Sequence, residues 1–297
     1  MRLVRVLLVF LASCTLALAK PQIVTTHTVL ADLVSAVGGD RVEVKCLLPI
    51  NLDPHSYEPK PADVRLLAHA DLIVINGLGL EPWAEKIIAN SGFRGQVVTA
   101  TAQLRRLLSS SGQAETELTH PAEHYDPHAW HNPRNVQRYV VVIRDALIRS
   151  FPSEADFFRL KATQYEAQLE AADVYAQQQF AALPSESRKL VTSHDSLRYL
   201  ADAYGLTIVP VAGTRPDQEP SARQLSELIQ FIRKQHVRAV FFEATTSPKL
   251  VELVAQEAGV SVVGQLYTDS LGLPDSTGAT YLGMFRSNVD TIVQALK

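Results

Sequence analysis

Nine histidines stand in this 297-residue chain, at positions 27, 55, 69, 120, 124, 128, 131, 194 and 236. Two of them close the same tripeptide, Asp53-Pro54-His55 and Asp126-Pro127-His128. A proline of fixed φ limits where the following histidine can sit. The aspartate before it is placed to accept a hydrogen bond from behind and hold one ring tautomer, which makes Asp53 and Asp126 candidate supports for a metal ligand. Neutral imidazoles combined with a carboxylate are the donor set of zinc or a similar borderline ion, at roughly 2.0–2.2 Å; calcium or magnesium would call mostly on oxygen.

Which histidines can meet depends on the elements that carry them. From residue 21 to about 150, the short β-branched runs QIVTT, RVEVKCLL, DLIVIN and QVVTA alternate with helix candidates at 28–37, 61–70 and 81–91. From residue 189 the pattern returns, with KLVTS, TIVPV, RAVFFE and SVVGQ separated by helix candidates near 195–204, 221–235 and 247–258. This alternation predicts two α/β lobes, each with a four-stranded, mostly parallel sheet flanked by helices. Between the lobes, Glu154 to Leu183 contain neither Gly nor Pro and are rich in Ala, Gln, Glu and Leu, with Ser153 as a candidate N-cap. They predict one long linking helix of about 45 Å. The expected boundaries are a leader at 1–19, lobes at 20–150 and 185–297, and a linking segment at 151–184.

In open parallel sheets, ligands gather beyond the carboxyl ends of the strands. His55 follows RVEVKCLL, His128 lies beyond QVVTA, His194 directly follows KLVTS, and Asp269 follows SVVGQ. Two come from each half, so facing lobes would converge three imidazoles and one carboxylate on one ion. Glu243, closing RAVFFE, points to the same edge and reads as an outer support or salt-bridge partner. His120 and His124 fall in an acid-containing loop with Glu115, Glu117 and Glu123, a candidate metal-gathering loop. His27 reads as a helix-start or cleft-lining residue, while His69 and His236 read as exposed positions on helices. His131 shares no helical face with His128.

Composition narrows the partners. The net charge of −3 offers no basic excess for phosphates, so nucleic acid is not expected. The leader MRLVRVLLVFLASCTLALA pairs Arg2 and Arg5 with an apolar run of about 14 residues, too short to span a bilayer, and ends in Ala17-Leu18-Ala19. Export with cleavage after Ala19 is expected; attachment of lipid to Cys14, at the end of Leu11-Ala12-Ser13-Cys14, is the alternative. Losing the leader removes two arginines and no acids, leaving 26 basic residues against 31 acidic ones and a net of −5. Cys46 then stands alone and reads as a small buried hydrophobe rather than a ligand.

Taken in order, DPHSYEPKPAD (53–63), NGLGLEPW (76–83), DPHAWHNP (126–133), VTSHDSLRYLADAYGL (191–206), EPS (219–221), FFEATTSP (241–248), LYTDSLG (266–272) and the tail YLGMFRSNVDTIVQAL make a series covering nearly the whole mature chain. It resembles the metal receptors of bacterial ABC importers, in the zinc and manganese branch. The resemblance places the family's ligands on His55, His128, His194 and Asp269. It implies a monomeric receptor, with no catalytic residues, that delivers Zn2+ to a membrane permease driven by a cytoplasmic ATPase. Manganese-selective members carry Glu at the third ligand position, where this chain has His194, so Mn2+ or mixed-metal transport is the alternative. Two departures stand out: Asn51 lies near a customary Gly, in a turn that Asn tolerates, and the loop at roughly 103–125 is poor in His. Surface adhesion and a zinc-dependent hydrolase are the readings from other classes. The second lacks HExxH, GxSxG or a phosphate loop, and four protein ligands would leave no site for an activated water.

Overall fold

The computed structural model describes residues 19–109, 125–213 and 220–297. Its first half runs β1 (Gln22–Thr25), α1 (Thr28–Gly38), β2 (Glu43–Cys46), α2 (Pro61–Ala68), β3 (Leu72–Ile75), α3 (Ala84–Ser91), β4 (Gln96–Thr99) and α4 (Pro133–Ser150). After α5 (Ala155–Ala181) come β5 (Lys189–Thr192), α6 (Arg198–Tyr204), β6 (Thr207–Pro210), α7 (Ala222–Lys234), β7 (Ala239–Glu243), α8 (Lys249–Ala258), β8 (Val262–Leu266) and α9 (Tyr281–Leu296).

The strands form two sheets of identical order, β2-β1-β3-β4 and β6-β5-β7-β8, with every neighbouring pair parallel. In each sheet the chain leaves the first strand to one side and returns to the other, so a switch point lies between β1 and β3 and again between β5 and β7. That is where parallel sheets open a ligand crevice.

Two helices were not foreseen, α4 and α9. Both carry start signals: the Asn132 side chain accepts the Arg134 N–H with Pro133 in the first turn, and Thr280 accepts the Gly283 N–H. They matter because they wrap α5. The linking helix has 27 residues, about 40 Å. It starts at Ala155, because Pro152–Glu154 form a separate tight turn and Ser153 does not cap it. Its buried residues Phe158, Ala162, Tyr165, Leu169, Asp173, Ala176 and Phe180 recur every three or four positions, giving one inward stripe.

That stripe joins a single inner core. Ile23, Leu72 and Val74 of the first sheet and Leu190, Ala239 and Phe241 of the second share one apolar cluster with α1, α4, α5 and α9. The opposite sheet faces have their own small cores, Val24 and Ile73 with Leu67 and Ile87 in one lobe, Val191 and Val240 with Leu228 and Val254 in the other. The lobes thus have separate outer cores and a common inner one. Among the described residues no helix is long and apolar enough to cross a membrane. Cys46 is half-buried, its Sγ 3.2 Å from the Leu48 carbonyl, and burial pushes its thiol up to about 11.

Asp173 ties three helices together. Its Oδ2 accepts from Arg134 Nε of α4 and Gln177 Nε2 of α5, and its Oδ1 from the Tyr204 hydroxyl of α6, each at 2.8 Å. Asp173→Ala strands the buried Tyr204 hydroxyl, while Arg134 and Gln177 can turn to water, and is expected to cost about 1–3 kcal/mol, lowering the Tm of metal-free protein by several degrees in a thermal melt. An unchanged Tm would mean that this junction adds nothing to stability.

Candidate metal centre

Each ligand candidate is delivered by a loop at a strand's carboxyl end, and each loop is pinned locally. In the first, Asp53 Oδ1 accepts the His55 backbone N–H at 2.8 Å and its Oδ2 accepts the Ser56 hydroxyl at 2.7 Å, while Trp83 Nε1 donates to the Pro54 carbonyl at 2.7 Å. Asn51 holds φ +65°, the left-handed conformation its place in the turn requires, and its N–H donates to Ser270 Oγ of the other lobe at 2.9 Å. In the second loop, Asp126 Oδ1 accepts the His128 N–H and also lies 2.8 Å from ring Nδ1. In both copies of the tripeptide the aspartate closes the turn, and Asp126 also orients its ring.

The second lobe uses one residue for both. Glu243, fully buried at the end of β7, accepts the His194 N–H on Oε1 at 3.0 Å. Its Oε2 abuts His194 Nδ1 and accepts the Thr268 hydroxyl at 2.9 Å. The lobes are stitched beside the site, where Trp130 Nε1 donates to the Thr268 carbonyl at 2.9 Å and Tyr281 donates to the Trp130 carbonyl at 2.9 Å. Leu271 N–H donates to Thr28 Oγ1 at 2.8 Å.

His55, His128, His194 and Asp269 come together, all buried, with one potential ligand atom from each lying within 4.8 Å of the others. His55 Nε2 is 3.0 Å from His128 Nε2, which is 3.3 Å from Asp269 Oδ1; His194 Nε2 is 3.2 Å from Asp269 Oδ2. A tetrahedral zinc shell has donor–donor edges of about 3.3–3.6 Å, so a small ion at the centre fits with minor adjustment. Neither Asp269 oxygen finds a hydrogen-bond partner among the described residues, although both lie in contact with imidazole nitrogens. A buried carboxylate left in this way is matched by a cation rather than by a hydrogen-bond donor.

The electrostatics agree. Burial alone would lower His128, yet its hydrogen bond to Asp126, its contact with Asp269 and the charges of both lift it to about 9. Burial likewise opposes a charged His194, but the charges of Glu243 and Asp269 raise it well above the ordinary imidazole value. Burial would raise Asp269, but the charge of His194 and the contact with His128 hold it well below the usual carboxylate range. Both shifts run toward protonated imidazoles, which supply positive charge to these carboxylates; a divalent cation would supply it in their place.

The remaining histidines separate cleanly. His27 is the N-cap residue of α1 and is buried, as is His131; their rings pack 5.1 and 5.6 Å from Trp130, and burial lowers both to about 3. Neither joins the group of four. His69 and His236 are exposed just past the ends of α2 and α7, not within them. Helix α6 begins at Arg198, so His194 belongs to a loop and not to a helix start. His120 and His124 lie outside the described residues, as does Cys14. Trp130, Thr268 and the buried Glu81 went unread in the sequence, although an acid inside the Gly-rich NGLGLEPW was a usable signal for the last.

Known proteins share this arrangement of chain. The family described as ZnuA, zinc-uptake complex component A, periplasmic, matches residues 23–295. The chain is 33% identical over 276 residues to the manganese-binding lipoprotein MntA of Halalkalibacterium halodurans, covering 93% of this chain and 88% of that protein. It is 32% identical over 283 residues to the zinc-binding protein TroA of Treponema pallidum, covering 93% and 89%. The solved structure of the periplasmic zinc-binding protein TroA superposes with a TM-score of 0.85 at 30% identity, covering 93% of this chain and 99% of that one. Members of this family are binding components of transporters and not enzymes, which closes the hydrolase alternative. With its paired parallel sheets and a buried cluster of three histidines and an aspartate between them, the chain belongs to the ZnuA family of extracytoplasmic metal receptors that serve ABC importers.

Proposed function

We propose that the chain captures a single zinc ion outside the cytoplasm, holds it with His55, His128, His194 and Asp269 between lobes 20–150 and 185–297, and hands it to an importer permease driven by a cytoplasmic ATPase. The observation that carries the choice of zinc is the donor set: three imidazole nitrogens and one carboxylate oxygen, all buried and spaced for a four-coordinate shell. Manganese favours oxygen donors and a larger shell. The manganese-binding name of one relative supports a second reading, in which the same site carries manganese or either metal.

The outer carboxylates suit release as well as capture. Asp126 and Glu243 make the His128 and His194 rings better donors, and they also stabilise the protonated rings that replace the ion when it leaves. Binding is thus an exchange of two protons for one dication within an otherwise fixed cage.

Three measurements test this reading. Calorimetric competition between zinc and manganese is expected to favour zinc; displacement of bound zinc by equimolar manganese would transfer the assignment to manganese. His194→Ala is expected to weaken zinc binding more than about a hundredfold, beyond the loss typical of an outer support, while circular dichroism stays that of a folded chain. Unchanged affinity would remove His194 from the ligands. With His128 raised to about 9 and His194 raised in the same direction, both rings are protonated in the metal-free site at neutral pH and must lose those protons to bind. Zinc affinity is therefore expected to fall as pH drops below about 9. Titration in buffers of different ionisation enthalpy is expected to show about two protons released per zinc at pH 7; no release would contradict the exchange.

A further inference from the structure

The carboxylate of Glu81 is buried in the first lobe, and among the described residues no Lys or Arg pairs with it. Its contacts are all donors to oxygen. Oε1 accepts the Thr26 hydroxyl at 2.6 Å and the Asn76 N–H at 2.7 Å, and Oε2 accepts the Gly77 N–H at 3.1 Å. Thr26 directly follows β1 and Asn76 directly follows β3, so one side chain ties the two strands that flank the first sheet's switch point. The turn it closes is conformationally costly: Gly77, Leu78 and Gly79 have φ of +84°, +56° and +78°, and Leu78 has a Cβ that disfavours this region. A turn of that kind persists only where its surroundings hold it.

The Asn76 side chain carries the constraint onward. Its Nδ2 donates to the Pro127 carbonyl at 3.0 Å, and its Oδ1 accepts the Tyr139 hydroxyl at 2.7 Å. Pro127 stands between the ring-orienting Asp126 and His128. The peptide plane ahead of His128 is thus gripped by a side chain whose own backbone is fixed by Glu81. Through Thr26 the same carboxylate reaches the other loop, because the Thr26 carbonyl accepts the Leu48 N–H, at 3.2 Å, where the chain enters the segment carrying His55. In the second lobe Glu243 ends β7, the strand that occupies in its sheet the place of β3, and there a buried carboxylate grips its histidine directly.

We propose that Glu81 is a positioning residue for metal binding, acting through Asn76 on the Pro127 carbonyl to hold His128 in place before the ion arrives. The role rests on His128 being a ligand. By strand position it makes Glu81 the first lobe's counterpart of Glu243, set back from its ring by Asn76 and Pro127.

The test uses near-isosteric changes in the full mature chain: Glu81→Gln, which sets an amide against a backbone N–H, and Asn76→Asp, which sets an oxygen against the Pro127 carbonyl. Either suffices if the other does not fold. Zinc affinity by chelator competition is expected to weaken about tenfold to a hundredfold. The visible spectrum of the cobalt-loaded protein is expected to shift, reporting altered ligand geometry. Leu67→Ala, in the outer core of the same lobe, serves as the stability control and is expected to lower the Tm without moving either readout. The proposal is overturned if both variants keep zinc affinity within twofold and the cobalt spectrum of the unmodified chain, or if Leu67→Ala produces the same losses. His128→Ala separates the two layers of argument. If it abolishes binding while the Glu81 and Asn76 variants bind normally, only the positioning role falls; if it too binds normally, the ligand assignment falls with it.

Discussion

Three buried carboxylates, Asp126, Glu243 and Asp269, crowd around three imidazoles with no arginine or lysine to balance them among the described contacts. Burying such charges is affordable only if positive charge is buried with them. The ring nitrogens can take it up as protons or yield it to a cation, so the carboxylates tune the site to hold positive charge in either form. Much else in the structure keeps those groups from escaping the constraint by moving apart or into water.

The inner core is the main device. Because α4, α5 and α9 pack into one apolar cluster that reaches both sheets, the lobes cannot separate as two independent bodies without exposing Phe158, Tyr281 and Phe285. Asp173 joins α4, α5 and α6, and Asp32 of α1 accepts the Tyr281 N–H of α9 at 2.9 Å. With the donors already converged on that shared core, less ordering remains to be done when an ion binds.

Within the cage the two lobes reach the same end with different means. Equivalent strands β3 and β7 deliver supports at their carboxyl ends, but the second lobe sets Glu243 against its ring and the first works through a turn, an asparagine and a proline carbonyl before Asp126 meets His128. Each lobe keeps one buried carboxylate against its ring, Glu243 in the second and Asp126 in the first. The first lobe adds a further one, Glu81, set back in its turn where backbone and hydroxyl donors satisfy it.

Much of this was legible in the residues. The period of the apolar runs disclosed all eight strands to within a residue or two at most ends, and the placing of His55, His128, His194 and Asp269 after strands in different halves pointed to one shared site. Helices α4 and α9 lie outside the strand–helix alternation that locates the other elements, although each carries its own start signal, Asn132-Pro133 and Thr280. The local rule shared by the two tripeptides shows in the turn that each aspartate closes, while the contact between Asp126 and the His128 ring is fixed only in the folded chain.

What the sequence determined by itself is the set of donors and the strand ends that carry them, because both follow from side-chain type and from periodicity within a few residues. The tertiary structure alone decided which donors converge, which carboxylate stands behind which ring, and that the two lobes share a core. These are contacts between residues as far apart as Thr28 and Leu271, and their energies depend on burial and mutual charge, which no local pattern encodes.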